Sequence, residues 1–149
     1  MNWLYNEKEI TDISQFPPNT FGFIYEVITP QGKKYIGKKV LFHNQKKKLT
    51  KVELAEQTGC GRRKTFKVVQ KESDWKKYFG SNTHLKNQIS KGEVTLEDLS
   101  KQIIEVAFTK KHLTYLETKI LFQLEVLEKP GEYYNDNILG KFFTSDFDI

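Results

Sequence analysis

The sequence predicts an α+β protein in which helices flank a small, mostly antiparallel sheet of three strands. Three observations support this fold class. Residues 21–39 contain two short apolar runs around a turn, residues 102–108 are mostly apolar, and residues 109–127 carry leucine and isoleucine at helical spacing. The first stretch predicts a hairpin, the second a buried third strand, and the third a helix that covers the sheet.

The length and composition indicate a single domain over residues 1–149. A chain of 149 residues can bury a core of its own, and the single cysteine, Cys60, permits no internal disulfide. The three histidines and the cysteine lack the close spacing of a zinc site. No apolar run is as long as a membrane span, and the N-terminus lacks the pattern of a secretion signal. We therefore expect a cytoplasmic protein without a membrane partner, present as a monomer or a homodimer.

The positive charge is distributed unevenly along the chain. The net charge is +5, and basic residues gather between residues 33 and 77. Such clustering suits a polyanionic partner. The candidates for contacts with the phosphates of such a partner are Lys46, Lys47, Lys48, Lys64, Lys76 and Lys77. The alternative is that these lysines belong to solvated loops that keep the protein in solution.

The hairpin is the first element that the sequence defines clearly. Residues 1–20 are expected to wrap the sheet and lead into its first strand. The aromatic and β-branched residues around Tyr25 favour a strand, Pro30–Gly32 supply turn chemistry, and a second strand follows. Tyr25 and Tyr35 can then lie side by side across the pair, and Gly37 lets the backbone leave the sheet without a side chain in the way.

Residues 44–72 are expected to form a basic insertion after the second strand. Thr50 and Glu53 form a capping box, which predicts a short helix over residues 51–57. Residues 65–69 alternate between polar and apolar side chains as a strand does.

The remaining elements follow from their caps and stop signals. Residues 73–80 predict a short helix ended by glycine, and residues 82–92 predict another. The third strand covers residues 102–108. Thr109 then caps the longest helix, which should run to about Leu127 because proline and glycine follow shortly afterwards.

Glu117 lies within the apolar stripe of this last helix. It is one helical turn from Leu113 and one turn from Leu121, so the three side chains share a face. Burying an unpaired charge is costly, so the carboxylate should be paired, neutralised or bound to a metal ion. The alternative is that Glu117 lies at the edge of the stripe and reaches water or a lysine.

The hairpin also carries two short motifs. Gly22–Tyr25 is followed by Tyr35–Gly37, and this pair resembles the signature of the GIY-YIG nuclease family, with Phe23 as a one-residue insertion. The lysine-rich insertion and the ending Glu132–Asn135 resemble small bacteriophage-encoded members of that family. The resemblance implies a metal-dependent DNA endonuclease, active in the host cytoplasm if the chain is phage-encoded. RNA is not excluded as a substrate.

The resemblance implies roles for the hairpin and the late helix. Glu117 would hold a divalent cation, Mg²⁺ or Mn²⁺. Tyr25 would take a proton from the attacking water, and Tyr35 would position water or phosphate. Because free tyrosine has a pKa of about 10, the base needs a nearby cation to be ionised at neutral pH, and Lys38 or Lys39 could supply it.

Two further roles are carried over from the same resemblance. The family clamps the scissile phosphate with an arginine, and Arg62 and Arg63 are the only arginines in this chain. The family also ends its core with an asparagine after an aromatic residue, which Asn135 matches. The alternative for Asn135 is a turn residue, since asparagine favours turns.

Two other functional classes fit the same sequence. A nucleic-acid-binding module that has kept the fold and lost catalysis would carry the same basic face. It is favoured because the family resemblance implies an arginine soon after the second motif, where this chain has Lys46, Lys47 and Lys48 instead. A structural or partner-binding protein would use exposed aromatic residues near the C-terminus, such as Phe142, Phe143 and Phe147.

Overall fold

The computed structural model describes residues 2–147 except residues 58 and 60, so Cys60 lies outside the described residues. The chain forms two compact units. Residues 1–41 and 74–149 form the sheet unit, and residues 42–73 form the ribbon unit. The ribbon unit corresponds closely to the insertion expected over residues 44–72.

Nine strands and three α-helices occur in the described residues. The strands are β1 (Trp3–Tyr5), β2 (Lys8–Ile10), β3 (Gly22–Ile28), β4 (Lys34–Val40), β5 (Phe42–Lys48), β6 (Phe66–Glu72), β7 (Ser100–Ala107), β8 (Asn137–Ile138) and β9 (Phe142–Phe143). The helices are α1 (Lys51–Ala55), α2 (Thr83–Ser90) and α3 (Lys110–Gln123). Among the described helices, none combines the length and the apolar character needed to cross a bilayer.

The main sheet belongs to the sheet unit and has five strands in the order β2-β1-β7-β3-β4. β3 pairs antiparallel with both β4 and β7, and β1 runs parallel to β7. The α+β class is confirmed, whereas the predicted number of three strands is wrong. β1 and β2 add two strands at one edge, and each is three residues long. Strands this short show too little alternation to be recognised in a sequence.

Strand β3 lies inside the sheet and is covered on both faces. Its side chains alternate between the faces, yet Phe23, Ile24 and Tyr25 are all buried. The register places Tyr25 opposite Gly37 on β4. This explains the apolar run in the sequence, since a strand covered on both sides needs no polar face.

The two faces of the sheet carry different cores. On one face, Ile24 and Ile36 pack with Leu113, Leu116 and Leu121 of α3. The other face carries an aromatic layer with ring centroids 5.1–6.4 Å apart, formed by Trp3, Phe16, Phe23, Tyr25 and Trp75. Each fully buried side chain of this size contributes about 1.5–3 kcal/mol to stability. The two layers therefore fix the positions of β3 and β4.

The two helices of the sheet unit begin where their caps predict. The Asn82 side chain accepts the N–H of Leu85, and Thr109 accepts the N–H of His112. The helix predicted over residues 73–80 is instead a turn, in which the Lys77 N–H donates to the carbonyl of Asp74. Trp75 of this turn inserts into the aromatic layer, which competes with a regular helix.

Helix α3 ends at Gln123 rather than near Leu127, and a turn follows. Glu125 in this turn has a φ of 53°, a conformation that no helix contains. Val126 and Leu127 remain buried against the same core. The apolar pattern therefore continued past the helix, which is why the sequence predicted a longer one.

The ribbon unit is a two-stranded antiparallel ribbon with a short helix in its connection. β5 and β6 pair over seven residues each. Helix α1 follows β5, and its capping box between Thr50 and Glu53 forms as predicted. β5 was not predicted as a strand, because its sequence FHNQKKK is polar on both faces.

Candidate active site

Glu117 extends from α3 beside the edge strand β4. Its carboxylate accepts the backbone N–H of Lys38 and lies 4.0 Å from the Lys38 ammonium. The side chain is 20% exposed. Burial raises the pKa of Glu117 above its usual range, while the ammonium and the N–H of Lys38 lower it. The residue is thus a sheltered carboxylate with a cationic neighbour and one side open to solvent.

Tyr25 is buried behind this edge, with only 1% of its surface exposed. Its ring contacts those of Tyr35 and Tyr78 at centroid distances of 6.2 and 5.8 Å, and its hydroxyl shares a hydrogen bond with Tyr78. Burial, followed by the neighbouring tyrosines and Glu117, raises the pKa of Tyr25 far above its usual range. The hydroxyl therefore stays protonated at neutral pH in this arrangement.

The register explains why glycine follows the second tyrosine motif. The Tyr25 hydroxyl lies directly over Gly37, and a Cβ at that position would overlap it. Position 37 therefore requires glycine, because a side chain there would overlap Tyr25.

Tyr35 lies closer to solvent than Tyr25. Its hydroxyl is 3.2 Å from the Ser81 hydroxyl, and its ring packs against the backbone of Gly80. Burial raises the pKa of Tyr35, and the hydrogen bond with Ser81 opposes that shift. The two tyrosines lie side by side, as the sequence predicts.

The two lysines after the second motif point in different directions. Lys38 donates to the Thr114 hydroxyl at 3.0 Å and faces Glu117. Lys39 forms an ion pair with Asp74 at 2.5 Å and lies 4.0 Å from the centre of the Tyr78 ring. Both lysine ammonium groups that were expected to promote ionisation of a tyrosine are thus engaged with other groups.

Asn135 makes a two-point contact with the edge strand. Its Oδ1 accepts the N–H of Ile36 at 3.0 Å, and its Nδ2 donates to the carbonyl of Ile36 at 2.8 Å. The side chain is buried and mimics a paired strand residue at the edge of β4. Its amide groups are occupied, so the geometry favours a positioning role.

A cleft of about 840 Å³ brings these groups together on the sheet unit. Tyr35 and Glu117 line it, with Asn135 at its wall. Several further polar residues of the lining were not predicted as site residues, among them Ser81, His84, Tyr134 and Asp136. The turn that buries Trp75 carries the chain to Ser81, and no local sequence pattern predicts that approach.

The donor set of this cleft fits a hard divalent cation. Mg²⁺ prefers oxygen ligands and often binds through one or two carboxylates, with water and substrate phosphates completing its shell. Glu117 supplies such a carboxylate. Among the described residues, no group of three or more His, Cys, Asp or Glu side chains could hold a metal ion. Two carboxylates line the cleft, those of Glu117 and Asp136.

The other basic residues predicted to contact DNA are divided between the units. Lys76 and Lys77 are exposed on the turn of the sheet unit that follows Asp74. The predicted basic residues of the ribbon unit are all exposed, namely Lys46, Lys47, Lys48, Arg62, Arg63 and Lys64. Their contacts with phosphate stay a prediction, as does the role of either arginine.

One family model accounts for nearly the whole chain. The model described as "Putative endonuclease segE, GIY-YIG domain" matches residues 3–138, which include Tyr25, Tyr35, Glu117 and Asn135. No curated protein and no solved structure matched the chain. A match to a family of endonucleases indicates nuclease activity, and nucleases act on nucleic acid. The chain belongs to the segE-type GIY-YIG endonuclease family.

Proposed function

We propose that this protein is an endonuclease that hydrolyses DNA phosphodiester bonds and requires Mg²⁺ or Mn²⁺. The observation that carries the proposal is that Glu117 and the Tyr35 ring line the same cleft of the sheet unit. A sheltered carboxylate beside a lysine can hold a cation, and a tyrosine hydroxyl can exchange a proton with water. Both groups face a space open to a substrate.

Glu117 would hold the cation in this site. A bound divalent cation supplies positive charge to the phosphate oxygens and lowers the pKa of water. The carboxylate is kept near the edge of β4 by the Lys38 N–H. Its raised pKa implies that the metal-binding form is lost at a higher pH than for an exposed glutamate.

A hairpin tyrosine is the proposed general base. Tyr35 borders the cleft, whereas Tyr25 is buried behind it and has the more strongly raised pKa. The geometry therefore favours Tyr35 as the residue that meets the attacking water, with Tyr25 supporting its ring. The family resemblance implied the opposite assignment, with Tyr25 as the base and Tyr35 as the positioning residue. The pH–rate profiles of Tyr25→Phe and Tyr35→Phe would distinguish the two assignments, because only loss of the base removes its ionisation from the profile.

Positive charge for the scissile phosphate is available from Lys38, beside Glu117. The sheet unit contains no arginine, since both arginines belong to residues 42–73. An ammonium binds phosphate as a point charge without the two-point geometry of a guanidinium. We propose that Lys38 neutralises the scissile phosphate in this cleft.

The test is nicking of supercoiled plasmid with Mg²⁺ or Mn²⁺ over neutral to alkaline pH. Wild type should nick the plasmid, and Glu117→Gln should reduce the rate by at least a hundredfold. Glu128→Gln is the matched control, because the same substitution is made at an exposed carboxylate that does not line the cleft. An intact plasmid with folded wild-type protein would contradict the proposal.

A catalytically inactive nucleic-acid-binding module is the second candidate. It is favoured by the absence of arginine from the sheet unit, in which lysine would bind phosphate without the bidentate clamp. This candidate predicts salt-sensitive DNA binding with no nicking under any of the conditions above. The plasmid assay therefore separates the two.

A further inference from the structure

The ribbon unit carries the whole positive excess of the chain. Nine of the 24 basic residues and three of the 19 acidic residues lie within residues 42–73. The ribbon unit therefore has a net charge of +6, and the remaining chain has −1, which together give the +5 of the whole. A small unit this basic attracts a polyanion strongly.

The shape of the ribbon matches one feature of that polyanion. β5 and β6 pair over seven residues, which corresponds to a length of about 23 Å. The major groove of B-form DNA is about 12 Å wide and admits a two-stranded antiparallel ribbon. A two-stranded ribbon is only marginally stable alone. Apolar side chains that stay exposed on such a ribbon do not contribute to its stability, and contact with a partner explains their exposure better.

One face of the ribbon carries side chains of types that can distinguish bases. The register places Asn44 opposite Gln70, and Lys46 opposite Val68. Within the described residues, neither the Asn44 nor the Gln70 side chain is engaged in a hydrogen bond, and all four residues are exposed. Asparagine and glutamine pair with adenine, lysine pairs with guanine, and apolar groups contact the thymine methyl.

The apolar members of this face are unusually exposed. Val68 is 62% exposed and Phe66 is 50% exposed, and Phe66 lies opposite Lys48 at the far end of the ribbon. Val68 directly follows the pair of amides on the same face, since residues two apart in a strand share a face. The face thus combines amide, ammonium and methyl groups in one strip.

The opposite face of the ribbon is less suited to bases. It carries His43, Gln45 and Lys47 on β5, opposite Lys71, Val69 and Lys67 on β6. Lys67 on this face is engaged by Glu53 at 2.7 Å. Long cations on this side can reach the phosphates that flank a groove, and they provide the sequence-independent part of binding.

We propose that the β5–β6 ribbon enters the major groove of B-form DNA and recognises bases through Asn44, Gln70, Lys46 and Val68. The inference rests on the proposed function only in taking nucleic acid as the substrate. It makes duplex DNA the preferred polymer, because the major groove of A-form RNA is too deep and narrow for such a ribbon. The protein would then cut near preferred sequences.

The experiment uses the full chain and a pool of DNA duplexes with a randomised centre, in EDTA so that binding is measured without cleavage. Bound duplexes are selected over several rounds and sequenced. Wild type should enrich a common sequence, and Asn44→Ala/Gln70→Ala should lose that enrichment while its affinity for an unrelated duplex stays within about threefold. Gln45→Ala is the matched control, because it removes an exposed amide from the opposite face and should enrich the wild-type sequence.

The groove is identified with wild-type protein alone, so this part does not depend on how the variants fold. In the selected sequence, methylation of guanine N7 or replacement of thymine by uracil changes only the major groove. At a contacted base, either change should weaken binding by about fivefold or more. Binding of an RNA duplex of the same length should be at least tenfold weaker than binding of DNA.

Four outcomes would overturn the inference. The first two are binding of DNA without enrichment of any common sequence, and loss of that enrichment in Gln45→Ala. The other two are equal binding of the DNA and RNA duplexes, and absence of any DNA binding. Nicking with Mg²⁺ is measured separately. A protein that enriches a sequence and does not cut would contradict the proposed function and leave the ribbon inference standing, whereas one that cuts without enrichment would do the reverse.

Discussion

At the scale of single residues, the sheltered carboxylate of Glu117 gives a stability test that does not depend on catalysis. Burial raises its pKa in the folded protein, so the ionised form at neutral pH lowers the free energy of unfolding. Glu117→Gln removes this cost and can still accept the Lys38 N–H through its amide oxygen. We expect the variant to match or slightly exceed wild-type stability at pH 7.5.

The stability of Glu117→Gln relative to wild type should decrease at acidic pH. The wild-type protein gains stability as the pH falls through the raised folded pKa, and the gain is complete below the unfolded value of about 4.3. Thermal unfolding of both proteins at pH 7.5 and pH 4 checks this. A variant several degrees less stable at pH 7.5 would show that the carboxylate stabilises the fold through Lys38.

Gly37 offers a second residue-scale test. A Cβ at this position would lie 2.7 Å from the Cζ atom of Tyr25, whose ring is almost wholly buried. Overpacking of this kind costs about 1–3 kcal/mol. We expect Gly37→Ala to lower the free energy of unfolding by that amount, measured by denaturant titration. Gly131→Ala is the control, since a Cβ there meets nothing within 4 Å, and equal stability of the two variants would contradict this reading of the register.

Lys101 is a buried cation that the sequence did not single out. Its ammonium donates to the carbonyls of Lys76 and Tyr78 and lies 4.4 Å from the centre of the Trp3 ring, with 4% of the residue exposed. Burial lowers its pKa to about 8. Above that pH the folded protein binds fewer protons than the unfolded chain, whose lysines titrate at about 10.4.

The stability of wild type should therefore rise with pH between about 8 and 10 relative to Lys101→Met. The measurement is the difference in the free energy of unfolding between the two proteins at pH 7.5 and at pH 9.5. A difference that stays constant, or that falls with pH, would show that the contacts of Lys101 outweigh its desolvation.

The sequence predicted some site residues and not others, for physical reasons. Glu117 was found because a carboxylate interrupts an apolar stripe with a regular period. The tyrosines were found because a hairpin brings residues together that are close in the chain. Ser81 and His84 reach the cleft only because the preceding turn buries Trp75, and this is a tertiary effect without a local signal.

At the scale of elements, the lysine run of β5 tests the basic surface of the ribbon unit. If Lys46, Lys47 and Lys48 contact DNA, Lys46/Lys47/Lys48→Ala should weaken binding and reduce the salt slope by about one unit for each lost phosphate contact. The measurement is DNA affinity over a series of salt concentrations.

A second triple variant controls for the loss of charge alone. Lys91, Lys129 and Lys141 are exposed residues of the sheet unit, and their replacement by alanine removes the same charge. Equal effects of the two triple variants would show that net charge, rather than the ribbon surface, determines affinity.

The elements that were predicted incorrectly share a physical cause. β1 and β2 are too short to show a period, and β5 has polar residues on both faces because neither face is buried in a core. Residues 73–80 have a composition typical of a helix, but burial of the Trp75 ring stabilises a turn instead. Sequence periodicity reports burial, so elements without a buried face are missed.

At the scale of the whole molecule, the two units differ in how they are stabilised. Both hydrophobic layers belong to the sheet unit. Its chain leaves after Leu41 and returns at Asp74, and the ion pair between Lys39 and Asp74 shows that these two points are close. A short glycine–serine linker can therefore replace residues 42–73.

We expect the protein with this replacement to unfold cooperatively, within a few degrees of wild type, and to bind DNA more weakly with a smaller salt slope. Circular dichroism melting and DNA titration check both parts. An unfolded product would show that the ribbon unit is needed for the fold. Nicking by the shortened protein at saturating DNA would show that neither Arg62 nor Arg63 is essential for the reaction.

The outer edge of β4 has a consequence for how the protein behaves when concentrated. The outward N–H groups of this edge are occupied in turn by the carbonyl of Glu132 at Lys34, by Asn135 at Ile36 and by Glu117 at Lys38. An uncovered edge of this length is a template on which strands of other molecules add, and aggregation begins there. Closure by a loop and two side chains blocks such growth along this strand.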